Sequence, residues 1–184
     1  AANDGQLMES WRPLERTQAV ERAQEIIEGL LVEDRQAEPG VPLQLFNLSR
    51  VPSVALFDLA IEAFLEHEGW KACTATAHTE DDFFSPRCPI RRNYELLREP
   101  LVKSRLRALF ELCDHNDVHI SIRRILLLLA NAVLGHPDVK DSLMRASDVR
   151  EILRQGTVAK ASVFNNIFGG NLTETRRESL EVFD

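Results

Sequence analysis

Arginine at the start of a helix is the placement in this sequence with the clearest chemical meaning. Arg123 and Arg124 follow Ser121, a residue suited to capping a helix, and precede an apolar run at 125–130. Guanidinium stays charged at any ordinary pH and can grip a phosphate or carboxylate through two parallel hydrogen bonds. A helix N-terminus already carries partial positive charge, so two adjacent cations are unfavourable there unless an anion lies within reach. Anion binding is the chemistry this arrangement predicts, with a solvated helix start as the plain alternative. Arg50 is a second single cation beside an apolar stretch, and Asn3-Asp4-Gly5 is a strong turn signal.

Cysteine and histidine offer a second constellation. Cys73, His78 and Cys88 fall in the one long stretch without periodicity, with Cys113 and His115 further on. Zinc takes four Cys or His ligands in a tetrahedral array, commonly with a Cys-x-x-Cys pair, and no such pair occurs here. No metal ligand is therefore expected, and the thiols read as small core residues. His67 and His136 read as helix-end residues without an evident partner. The acid pairs Asp81-Asp82 and Glu33-Asp34 read as solvated turns, which leaves no two-carboxylate hydrolase. The chain has no Gly-x-x-x-x-Gly-Lys-Ser/Thr loop, no Gly-x-Gly-x-x-Gly, no Gly-x-Ser-x-Gly and no His-Glu-x-x-His. Gly169-Gly170 has no Lys after it to reach a phosphate and reads as a turn.

Several segments taken together resemble one family. Ala2-Asn3-Asp4-Gly5-Gln6-Leu7 resembles the segment after the sensor strand of AAA+-type ATPases, and VPLQLFNLSR resembles the next core strand. CPIRRNYELL, PLVKSRLRALFELC and HISIRRILLLLANAVLG resemble, in that order, the helical lid that follows the ATPase core. The similarity is closest to the large ATPases of bacterial defence systems, including those of DNA-phosphorothioation-dependent restriction.

The resemblance implies roles. Asn3 would orient water beside the terminal phosphate, and Arg50 would act in trans as an arginine finger. Arg123 or Arg124 would reach from the lid to the nucleotide. ATP and Mg²⁺ would be held only together with an upstream half carrying the phosphate loop and the acidic strand, so this portion alone is expected to be inactive. Its partners would be other subunits of a defence complex or further copies of itself, with DNA met through the complex. The rival reading is a non-enzymatic helical module for protein–protein interaction.

The elements that would position these residues are mainly helical. Periodicity predicts helices at about 9–32, 54–68 (capped by Ser53), 93–97, 101–113, 121–134 and 147–155. A short strand is expected at 41–51, its Pro42 confining it to an edge or a start. The expected fold class is mainly α, a lid-type helical bundle with one or two short strands left from an α/β ATPase core. Residues 1–68 would end that core, 69–92 would connect, and 93–184 would form the lid.

Composition sets the frame. Of 184 residues, 44% are apolar and 28% charged, which suits a globular chain. The net charge of −7 argues against a large nucleic-acid footprint and leaves room for a local basic patch. No apolar run is long enough to span a bilayer. The opening residues do not read as a secretory leader, and three cysteines, an odd and sparse count, fit a reducing cytoplasm. The start at Ala1 without a methionine reads as an interior point of a longer protein.

Overall fold

The computed structural model describes Leu7 and residues 9–75, 83–139 and 143–180. These residues are mainly helical, and among them no strand forms. The chain separates into two compact units, residues 1–50 and 51–184.

In the first unit the main helix, α1, runs Gln18–Val32, with Ile27 and Leu30 buried. It is shorter than the expected helix at 9–32. Residues 10–14 instead form turns and a bend, with Arg12 N donating to Glu9 O and Leu14 N to Trp11 O. Pro13 lacks an N–H and disfavours helical backbone in the residue before it, and Thr17 then caps the new start by accepting from Val20 N at 3.3 Å.

The strand expected at 41–51 does not form either. Ala37 and Gln44 make one isolated antiparallel bridge, and a 3₁₀ turn occupies Leu48–Arg50. Pro42 cannot donate to a ladder, and one bridge is too little pairing to make a strand.

The second unit is built around α6, Ile122–Leu134. Before it come α2 (Ser53–Leu65), α3 (Gly69–Ala75), α4 (Pro89–Arg98) and α5 (Pro100–His115). After it come α7 (Ala146–Gln155), a 3₁₀ turn at Val158–Ala161, α8 (Val163–Ile167) and α9 (Glu174–Leu180). Helix α6 packs against α2, α4 and α8, and α2 lies along α5. The helix at 53–65, grouped by sequence with residues 1–68, thus packs among the later helices.

Local chemistry explains the boundaries. Pro89 and Pro100 open α4 and α5, where a missing N–H leaves no helical bond unmade. Glu99, forced extended by Pro100, breaks what would otherwise be one long helix. Gly156 closes α7 in the left-handed region at φ 69°, which a side chain would disfavour. Leu97, Ile125, Leu129 and Val133 are fully buried, and Phe57 stacks on Phe110 with ring centroids 4.6 Å apart. Each such side chain contributes about 1.5–3 kcal/mol.

Candidate functional site

Helix α6 begins where three segments are fastened together. Ser121 Oγ accepts from Arg124 N at 3.4 Å, as its type predicts. Ser53, expected to cap α2, lies inside that helix and serves another purpose: its Oγ accepts the N–H of Ile120 at 2.8 Å. The cap of α2 comes from afar. Asp114, near the end of α5, accepts from Ser53 N at 2.8 Å and from Val54 N at 2.9 Å. Partial burial pushes the Asp114 carboxyl up. The hydrogen bonds from Val54 and Ser53, with the nearby His119, outweigh that and hold it below its ordinary value.

Arg123 and Arg124 stand exposed in the first turn of α6, while Ile125, Leu128 and Leu129 behind them are in the core. The helix start is therefore anchored by the core while both arginines stay exposed. Leu126 and Leu127, 46% and 44% exposed, fall three and four residues after Arg123 on that same outer face.

A second feature lies at the far end of α2. A helix rises about 1.5 Å per residue, so the two ends of α2 are roughly 18 Å apart. Here α3, Phe84 and α4 line an open cleft of about 490 Å³. Its back is aromatic: the Trp70 centroid lies 4.6 Å from Tyr94 and 5.6 Å from Phe84. Trp70 Nε1 donates to Phe64 O at 2.7 Å, and the Tyr94 hydroxyl donates to Leu65 O at 3.0 Å, which fix both rings to the end of α2. Phe84 is 2% exposed and holds φ 64°, a left-handed conformation rare for a bulky residue and costing about 1–3 kcal/mol. Arg91 donates to its carbonyl at 3.4 Å. Lys71 and Arg98 stand at the rim. The rim cations of the cleft and the arginines of α6 do not converge.

The remaining expected residues fall elsewhere. Arg50 sits in the 3₁₀ turn rather than past a strand, donates to Leu31 O at 3.4 Å and faces Asp34 at 3.9 Å, all within the first unit. Asn3, His78 and the pair Asp81-Asp82 lie outside the described residues. Glu33 and Asp34 are exposed, as a solvated turn requires. Among the described residues no group of three or more His, Cys, Asp or Glu could hold a metal. Burial pushes the Cys73 thiol up, with Cys88 adding to the effect, and Cys113 rises for the same first reason and through Asp114. Thiols so placed are poor thiolates.

His136, expected without an evident partner, is 1% exposed and doubly engaged. Its Nε2 meets Thr157 O at 3.2 Å and its Nδ1 accepts from Asp138 N at 3.1 Å. It ties the end of α6 to the turn after α7.

A set of buried asparagines went unrecognised in the sequence. Asn131 Nδ2 donates to Asn166 O at 2.6 Å, and Asn131 and Asn171 exchange side-chain amide bonds at 3.0 Å in each direction. Asn166 Nδ2 bonds Gly135 O at 2.9 Å, and Asn93 Nδ2 bonds Ala161 O at 2.6 Å. The segment VFNNIFGGN thus satisfies the open carbonyls at the C-terminal end of α6. The available signal was Asn131 itself, a lone amide inside an apolar helix.

No protein-family model, no curated protein and no solved structure matches this chain. No helix among the described residues is long and apolar enough to cross a membrane.

Proposed function

We propose that this chain is the lid-containing portion of an AAA+-type ATPase subunit. In that reading it works in the cytoplasm and couples nucleotide state to a DNA-targeting defence complex. Its partners are the other subunits of that complex or further copies of the same subunit. Asn3 would serve as phosphate sensor and Arg50 as a finger offered to a neighbour. ATP and Mg²⁺ require the upstream half, so the chain alone neither binds nucleotide tightly nor turns it over.

One observation supports the reading above others: the start of α6. A pair of guanidinium groups heads a helix whose next turn is locked into the core. An exposed guanidinium such as that of Arg123, met there by a phosphate, makes a preorganised bidentate contact.

The test is made in the intact subunit. Arg123→Ala and Arg124→Ala should leave the melting temperature within a few degrees, because exposed substitutions change stability by only about 0.5 kcal/mol. At least one should lower ATP turnover severely, since arginine contacts to a transferring phosphoryl group are worth roughly 10³–10⁵ in rate. Unchanged turnover with lowered melting in both variants refutes the assignment.

The exposed pair Leu126 and Leu127 favours a second reading, a helical interaction module. Under it, Leu126→Glu with Leu127→Glu breaks assembly of the intact protein with its partners, while Arg123→Ala leaves turnover unaffected.

A further inference from the structure

An arginine contact is only as well placed as the backbone that carries it, and the backbone before α6 is held by two residues from other helices. We infer that Ser53 and Asp114 are positioning residues for the phosphate contact made from the first turn of α6, acting through Ile120 and touching no nucleotide themselves. This rests on the lid reading above, and the experiment below separates the two.

The link 116–120 between α5 and α6 is fastened at both ends, to different helices. Its first half closes on α5: Val118 N donates to Cys113 O at 2.9 Å, and Asp117 turns the chain in the left-handed region at φ 56°. Its second half is tied to α2. Ile120 N donates to Ser53 Oγ at 2.8 Å, with Ile120 1% exposed and Ser53 fully buried. Ser121, the cap of α6, follows directly, and Arg123 stands in the turn that it opens.

The Ser53 hydroxyl has one proton to give, and it goes to the Asp114 carboxylate. Asp114 Oδ1 also accepts from Ser53 N at 2.8 Å, and Oδ2 accepts from Val54 N at 2.9 Å. The carboxylate thus grips Ser53 at its backbone and its hydroxyl, and the hydroxyl grips Ile120. Bonds in such a chain polarise one another, and an ionised acceptor at the end strengthens them. A neighbouring residue would suffice to cap α2. What the distant carboxylate and the buried hydroxyl add is a fixed relation between the end of α5, the start of α2 and the start of α6. Without the hydroxyl, Ile120 N–H is left unpaired and the first turn can shift while Ile125 and Leu129 stay in the core. A misplacement of about 1 Å at a reacting group costs roughly a hundredfold in rate.

Ser53→Ala in the intact subunit should lower kcat for ATP by about tenfold to a hundredfold, with KM changed less than about twofold. In the background of whichever arginine variant, Arg123→Ala or Arg124→Ala, has lost turnover, Ser53→Ala should cost little more, because the contact it positions is already gone. Amide exchange of the 184-residue chain supplies a readout besides activity: Ser53→Ala should speed exchange at 120–124 and leave 128–134 unchanged. If Ser53→Ala does not fold, Asp114→Asn, which keeps one acceptor, is carried through the same measurements with the same expected pattern. Three results overturn the inference and leave the lid reading standing: an arginine variant that loses turnover beside unchanged kcat in Ser53→Ala, fully additive losses in the double variant, or exchange raised evenly along α6. Unchanged turnover in both arginine variants overturns the lid reading and the inference with it.

Discussion

Asp114 is the residue through which solution conditions act most directly on this fold. It sits near the C-terminal end of α5, where a carboxylate is unfavourable, and spends its charge on the N-terminus of α2, where one is favoured. Asp114→Ala should destabilise the chain by about 1–2 kcal/mol, the usual worth of a capping acceptor, measured by denaturant unfolding. The pH dependence has a definite sign. The folded-state carboxyl titrates below its unfolded value, so its stabilisation is complete above the unfolded pKa and disappears as pH falls through the folded one. Wild-type and Asp114→Ala melting curves should therefore differ at neutral pH and draw together in acid. A gap that persists unchanged in acid would mean the carboxylate charge is not the source. Nothing local in the sequence marks Asp114 as a cap, because its partners are about sixty positions away. Capping rules read neighbours, so they assigned Ser53 to α2 when its hydroxyl serves Ile120.

At the scale of elements, the helices were legible wherever a periodic run met a strong stop. Helix α6 is the best example: Ser121 and Gly135 bound it in the sequence and in the structure. Helix α1 was read too long because its apolar spacing continues back through Pro13, and the single proline outweighs that spacing. The short α3 was missed since seven residues carry less than two full periods. The C-terminal end of α6 yields a prediction. A Cβ on Gly135 would lie 2.5 Å from Asn171 Nδ2 and 2.6 Å from Asn131 O. Gly135→Ala must therefore push the asparagine pair apart, and unfolding should show a loss of about 1–3 kcal/mol. Adding Asn171→Ala should recover part of that loss, because it removes one of the clashing atoms and leaves the Asn131 carbonyl. Strictly additive losses would mean that the two positions are uncoupled.

For the whole molecule, residues 51–184 carry their own core from Leu56 to Ile167. A chain of residues 51–184 should keep helical circular dichroism and a cooperative thermal transition. A broad, non-cooperative melt would place part of that core's support in residues 1–50. The mainly helical class was open to reading because the pattern of apolar residues suffices for it. The cleft was not. Trp70, Phe84 and Tyr94 come from three segments, and only the fold makes them one surface.

The asparagine cluster has a consequence for how the chain is made. Asn131 and the carbonyls of Ala132 and Gly135 find their partners in Asn166 and Asn171. A ribosome delivers those partners some thirty residues after α6 has emerged. Until then the central helix exposes a polar notch that it cannot close from its own sequence, so the bundle stays open to water at that point. The arrival of Asn166 and Asn171, not the first collapse, is what seals the interior at that point. Chains that stop short of Asn171 should be the ones cellular proteases remove.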